Sequence, residues 1–299
     1  MNELVKADGI KSGHAIMRAR ARLISLIGDE LISDEPVAVV ELVKNAYDAD
    51  AKKVSVAFSG LNTLDPDTLT VTDDGCGMTL QTVLGAWLEP GTILKKRDER
   101  SPGGRLYQGA KGIGRFAAAR LAQSMYMETR SKDEEEGVTV LLEWGKFTDE
   151  SYLDEVSIEY EVRPLPELSH GTLLTLGGLH ARKHWAENDF KALHNRLSRL
   201  ISPFQNSLGA AEVSDFEIDL QIPAFPNLTG KVEPHRLTRA PKYRLTGFLT
   251  AEGVFNGSLE TDGKPWKPLN DVSLGEKGEI VACGLSPLKF ERGTVIDQD

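Results

Sequence analysis

Four short stretches of this sequence gather residue types suited to binding and activating a ligand. In the first, Glu41, Asn45 and Asp48 recur at i, i+4 and i+7, which puts two carboxylates and an amide on one helical stripe. Val39, Leu42, Val43 and Ala46 fall on the opposite side; taken alone, such a helix is more often one with a solvated polar face. The second stretch is Val71-Thr72-Asp73-Asp74-Gly75-Cys76-Gly77-Met78, where a strand pattern ends in carboxylates and glycines let the backbone turn sharply toward a ligand. A fixed Asp73 accepts a hydrogen bond from the exocyclic amine of adenine and repels the carbonyl oxygen of guanine, although the same residues also suit an ordinary Asp-Gly turn.

The third stretch, Gly109-Ala110-Lys111-Gly112-Ile113-Gly114-Arg115-Phe116, opens a helix with glycines, so backbone N–H groups and the helix N-terminus can hold an anion such as phosphate. Two commoner phosphate motifs fail here. From Gly104 to Gly109 the glycine spacing is that of a P-loop, but Ala110 stands where the lysine is needed and no hydroxyl residue follows. A dinucleotide fingerprint needs GxGxxG straight after a strand, and this order is GxxGxG after a loop. In the fourth stretch, His170-Gly171-Thr172-Leu173-Leu174-Thr175-Leu176, Gly171 begins a strand and Thr172 can set a hydroxyl beside Asp73. His180 and His184 stand four apart without an intervening HExxH glutamate, so no metal site is assigned to them.

The elements that must position these residues follow from periodicity. Helices are predicted over 14–33 and 35–50, with Pro36 at the second start, then strands around Val54, Val56 and Phe58 and around Leu69 and Val71, and a helix from Thr79 to Leu88. Residues 89–108 lose all pattern, as a functional or mobile loop does, and the charged run Lys95-Lys96-Arg97-Asp98-Glu99-Arg100 within it is of a kind more often simply solvated. A helix over 112–122 comes next. Strands at 124–129, 137–144, 156–162 and 171–176 follow, with the acidic run 133–136 as a hairpin turn, and an amphipathic helix near 187–201 closes the domain. Strands at 216–222, 243–249 and 279–281 belong to different, Pro- and Gly-punctuated sequence, which sets the expected boundary near residue 210. The strand-like ending at Thr294 to Asp299 predicts that the chain is a piece of something longer.

Composition bounds the partners. The chain has 299 residues, a net charge of −10 and two cysteines, Cys76 and Cys283, without CxxC spacing. The charge argues against whole-surface attraction to nucleic acid or anionic lipid, and the cysteine count suits a reducing cytoplasm. Arg18, Arg20 and Arg22 interrupt the first candidate apolar stretch, so neither a signal core nor a membrane span is expected. On a helix those arginines would form no single stripe.

Together, in this order and spacing, the four stretches resemble the signature of the GHKL superfamily, which includes DNA gyrase B subunits, heat-shock chaperones, sensor histidine kinases and MutL-type repair proteins. Residues 41–50 resemble its N-box, 73–78 its first glycine box, 109–114 its second, and Gly171-Thr172 its later Gly-Thr element. The resemblance, nearest to MORC-like and chaperone-like prokaryotic members, implies an α+β fold: a Bergerat-type α/β sandwich over 1–210, with helices on one face of a mixed, mainly antiparallel sheet. A smaller, incomplete transducer-like α/β domain over 211–299 would follow. It also implies ATP and Mg²⁺ as ligands. Glu41 would be the general base and Asn45 the metal ligand, with Asp48 beside them. Asp73 and Thr172 would hold adenine with Gly75, Gly77 and Met78, while Gly109, Lys111, Gly112, Ile113 and Gly114 would cradle the phosphates under a lid over 91–108.

The activity so implied is Mg-dependent ATP hydrolysis driving lid closure and homodimerisation as a switch in a larger machine, with DNA or a protein client as further partner. A non-hydrolysing ATP sensor is the alternative. A histidine-kinase-type phosphotransferase fits less well, because His14 is followed by Ala15-Ile16-Met17-Arg18 in place of an acidic-hydrophobic acceptor helix. A transducer lysine for the γ-phosphate has no assigned position, with Lys242, Lys264, Lys267 and Lys289 all available.

Overall fold

The structure is a computed structural model, and it describes residues 5–7, 10–12, 17–24, 26, 32–60, 67–89, 100–108, 116–180, 185–201, 216–234, 243–249, 254–261 and 264–273. Two compact units divide the chain, residues 1–233 and 234–299.

In the first unit, β1 (Val5–Ala7) and β2 (Ile10–Ser12) form a short antiparallel pair. Helix α1 (Glu35–Asp48) starts where the sequence directs it: the extended Asp34 accepts the Val37 N–H at 2.8 Å, and Pro36 sits in the first turn, where its missing N–H costs nothing. Val39, Leu42, Val43 and Ala46 are buried, as their spacing predicts. Asp34 also receives both arms of Arg196, at 2.5 and 2.9 Å, from helix α4 (Glu187–Ser198). Burial opposes ionisation of that carboxyl, but the Arg196 guanidinium and the Val37 amide outweigh it and hold its pKa below the usual value.

The core of the unit is an eight-stranded sheet made of β3 (Lys53–Ser59), β4 (Thr68–Asp73), β5 (Ala122–Arg130), β6 (Glu136–Glu143), β7 (Glu159–Pro164), β8 (Gly171–Leu179), β9 (Glu217–Gln221) and β10 (Gly230–Lys231). Its order is β10-β9-β3-β4-β8-β5-β6-β7, and every neighbouring pair is antiparallel except β3 with β9. Val54, Val56, Phe58, Leu69, Val71, Met125, Met127, Val138 and Val140 alternate onto one buried face, while Ser55, Ala57, Thr70 and Thr72 take the other. Phe58 lies with Trp185 and Phe190 at ring separations of 4.8 and 5.0 Å, joining the sheet to α4. This is the mixed, mainly antiparallel sheet with helices that a Bergerat sandwich requires. Helix α2 (Leu80–Thr82) runs into a π-helical turn, Val83–Trp87, and α3 (Ala117–Leu121) leads into β5.

Three expectations are corrected. The helix expected over 14–33 is helical, among the described residues, only at 23, 24 and 26. Arg20 forms a bridge with Tyr152, whose ring lies under the Arg18 and Arg20 guanidiniums at 3.7 and 4.2 Å, so cross-chain pairing overrides local helical preference. The expected strand start at 156 moves to 159 behind a 3₁₀ turn at Leu153–Glu155. The division between units falls after Glu233 and not near 210, because Ile218 and Leu220 alternate inward on β9 and extend the apolar face beside β3. The second unit, in its described residues, is an antiparallel meander of β11 (Tyr243–Leu249), β12 (Val254–Thr261) and β13 (Lys264–Ser273), with Leu259 buried. The strand expected at 279–281 lies outside the described residues.

Candidate functional site

The C-terminal end of β4 delivers Asp73 between two neighbours, opposite Val54 on β3 and Thr172 on β8. Antiparallel register therefore brings together two stretches about a hundred positions apart in sequence. The Asp73 Oδ1 accepts the Gly75 N–H at 2.9 Å. Burial pushes the carboxyl up to about 6, and the Gly75 and Thr172 amides, which stabilise the anion, limit the rise. At neutral pH it is an ionised acceptor for an amine. The adjacent Asp74 does a different job: it accepts the Lys52 and Lys53 N–H groups at 2.8 and 2.7 Å and closes the turn between α1 and β3.

Two glycines are required here by contact. Gly77 has φ +64°, and a Cβ on it would overlap the Arg130 carbonyl; Gly171 has φ +101°, and a Cβ there would overlap the Asp73 carbonyl. The first glycine box is then stitched to its surroundings. The Cys76 N–H donates to the Ala49 carbonyl at 2.8 Å, joining the box to the end of α1. The Met78 N–H donates to Thr129 Oγ1 at 3.0 Å, and the His170 ring meets the Gly75 carbonyl through Nδ1 at 2.9 Å. Thr129 is fully buried, gives its proton to the Gly171 carbonyl at 3.1 Å and lies 3.0 Å from the Thr172 hydroxyl.

Asp73, Gly75, Gly77, Met78 and Thr172 are thus brought into one place, with the end of α1 against them. On α1, Glu41 and Asn45 are half-buried and Asp48 is buried. Glu41 Oε1 is held by Lys44 Nζ at 2.7 Å. Asp48 accepts the Gln108 N–H at 2.8 Å. Of the expected lid, residues 100–108 are described, and they are clipped to the helix end. Asp50, at φ +60°, accepts from the Ser101 hydroxyl at 2.5 Å and the Gly103 N–H at 2.7 Å, and Arg105 donates to the Tyr47 and Ala51 carbonyls at 3.2 and 2.6 Å. Gly109, Lys111, Gly112, Ile113 and Gly114, and lid residues 91–99, lie outside the described residues.

Thr129, His170, Lys44 and the Asp50-Arg105 clip were not singled out as site residues from sequence. Thr129 left a signal: Met125 and Met127 alternate inward on β5, and the next inward position is polar.

An enclosed carboxylate with an orienting amide, glycines packed too tightly for a side chain, and a helix end carrying Glu, Asn and Asp form one arrangement. Residues 33–172 match the family described as histidine kinase-, DNA gyrase B- and HSP90-like ATPase. Residues 33–172, just under half of the chain, are of the GHKL type. Among similar curated proteins, the chaperone protein HtpG of Clostridium acetobutylicum is 26% identical over a region covering 48% of this chain and 29% of the relative. HtpG of Halalkalibacterium halodurans is 29% identical over 39% of this chain and 21% of the relative. The chain therefore matches less than a third of the length of these chaperones. The matched GHKL region ends at Thr172, so it contains the first three motif stretches and the Gly171-Thr172 pair of the fourth, while β9 and α4 of the same unit lie beyond it. Among the described residues, no helix is long and apolar enough to cross a membrane.

The donor set fits adenosine triphosphate with Mg²⁺. Asp73 would supply the anionic acceptor, and Asn45 would offer the neutral hard oxygen that Mg²⁺ accepts alongside phosphate.

Proposed function

We propose that this GHKL domain binds Mg-ATP and hydrolyses it, and that the cycle works as a conformational switch in a larger assembly through lid closure and pairing of two such domains. The observation that carries the reading is the placement of Asp73: a carboxylate ionised near neutrality, oriented by the Gly75 amide, with the α1 end joined to the same box through Cys76 and Ala49.

In this reading Asp73, with the Thr172 hydroxyl nearby, takes the adenine amine, and the residues of α1 face the phosphates. Glu41 accepts a proton from water as the water oxygen bonds to the γ-phosphorus; the bond from that phosphorus to the bridging oxygen breaks, and ADP leaves with its electron pair. Mg²⁺ held through Asn45 would offset the phosphate charge. Residues 109–114 supply backbone N–H groups, and the segment over 91–108 excludes bulk water. Cytoplasmic location, and a DNA or protein client, remain parts of the proposal.

Titration calorimetry tests binding: magnesium-dependent uptake of ATP by the wild type and its loss in Asp73→Asn are expected. Phosphate release tests turnover, which Glu41→Ala should abolish while binding persists. Equal release by both would leave an ATP-sensing module, a reading favoured by one observation, the engagement of the Glu41 carboxylate by Lys44. Acid-labile label on the protein after incubation with γ-labelled ATP would instead support the phosphotransferase reading.

A further inference from the structure

We propose that Lys44 is the residue by which this site tells ATP from ADP: its ammonium rests on Glu41 while no γ-phosphate is present and transfers to the γ-phosphate when ATP binds, releasing Glu41 toward water. The inference rests on the reading of Glu41 as the base in ATP hydrolysis, and it names a control of that step.

The geometry starts it. Lys44 Nζ lies 2.7 Å from Glu41 Oε1, and the two side chains keep only 27% and 29% of their exposure. Neither charge is freely solvated, so each depends on a partner. An attacking water has to stand within about 2.6–3.2 Å of a Glu41 oxygen and about 3–3.5 Å from the phosphorus. A cation already bonded to that carboxylate therefore occupies the shell in which the γ-phosphate must arrive.

Charge balance on the helix points the same way. The sequence of α1, Glu-Pro-Val-Ala-Val-Val-Glu-Leu-Val-Lys-Asn-Ala-Tyr-Asp, contains one cationic residue, Lys44, against Glu35, Glu41 and Asp48. Glu35 is matched by Arg120 at 3.6 Å and Asp48 accepts an amide from Gln108, whereas Glu41 has Lys44. A terminal phosphate brought to this stripe meets a carboxylate, and like charges at contact repel unless a cation stands between them. Lys44 sits next to Asn45 on a flexible four-carbon stem with three rotatable donors, so it can leave one oxygen for another without moving the helix. ADP lacks the group that would draw it away, and with ADP bound the pair stays closed. The same contact then does two things: it holds the base occupied in the absence of ATP, and it adds a charge-assisted bond that only the triphosphate can make.

Calorimetry with Mg-ATP, its non-hydrolysable imido analogue and Mg-ADP tests this on the full chain. Lys44→Met should weaken the two triphosphates by about tenfold or more while changing ADP by less than about twofold, and Lys44→Arg should restore most of the difference. Glu41→Gln, which frees the ammonium without removing it, should raise the ratio of triphosphate to diphosphate affinity. Circular dichroism melts of each variant check that it folds, and Glu41→Gln carries the test should Lys44→Met fail to fold. A wild-type ratio in Lys44→Met, or a reduced one in Glu41→Gln, overturns the role of Lys44 while leaving ATP binding intact. Absence of adenine nucleotide uptake by the wild type overturns both the role and the reading beneath it.

Discussion

The end of the site proposed for adenine and the end proposed for the phosphates are built in opposite ways. At the adenine end, Asp73 and Thr172 face each other by strand register, and the glycine box is tied down by Thr129, His170 and the Ala49 carbonyl. At the phosphate end the functional groups are side chains of one helix, and residues 100–108 hang from the carboxylates of Asp48 and Asp50. A base pocket whose side chains are fixed by strand register and bonds to backbone would be ready before its ligand arrives. A phosphate pocket made of ion pairs and clips can exist in more than one arrangement, which is what a switch requires.

The sharpest way to break the contrast is at Gly171. With φ +101° and the Asp73 carbonyl in the way of a Cβ, Gly171→Ala should cost about 3 kcal/mol or more of stability in urea unfolding and remove adenine binding. A midpoint equal to the wild type would show that the adenine end is adaptable after all.

Asp73 separates folding from binding. Its folded carboxyl is raised from 3.8 to about 6, so the protonated form favours the native state: that contribution is complete below about 3.8 and disappears as pH rises through about 6. Asp73→Asn should therefore stabilise the nucleotide-free chain at pH 7.5 by up to about 3 kcal/mol, while weakening ATP on the order of a hundredfold. Wild-type affinity should fall about tenfold between pH 7 and pH 5, because adenine's amine needs the ionised acceptor. Chemical unfolding and calorimetry across that range read both, and a pH-independent affinity would count against Asp73 as the base-reading group.

Thr129→Val keeps the shape and deletes the hydroxyl that joins Met78, Gly171 and Thr172, with an expected loss of about 1–2 kcal/mol and a weaker response to adenine. The smallest effect belongs to the other end. Arg105→Ala should cost about 1 kcal/mol, since its bonds to the Tyr47 and Ala51 carbonyls are partly exposed, and hydrogen exchange at Gly103 and Gln108 should speed up while adenosine binding holds. Unchanged exchange at those amides would mean that the clip does not restrain the loop.

Much of this was legible because the informative residues come in runs. The stripe on α1, the Asp73 turn and the Gly171 strand are each readable within eight or ten neighbours, and their alternation predicted which side chains would be buried. The parts that escaped depend on long-range pairing. Ile218 and Leu220 announce a strand at β9, but nothing local says that it runs parallel to β3, so the expected boundary fell before it. Arg18 and Arg20 were placed on a helix, although two residues that meet the same Tyr152 ring from alternate positions are spaced as in extended chain. Lys44 went unremarked because a lysine on a polar helix face is ordinary until its partner is seen.

The pairing of β9 with β3 has a practical sequel for anyone who trims this protein. Ending the chain at residue 210 would strip a five-residue strand from the side of β3 and expose its amides and carbonyls to other molecules, together with the apolar surface that Ile218 and Leu220 cover. Such a fragment should precipitate or self-associate, whereas one ending after Glu233 keeps that flank closed.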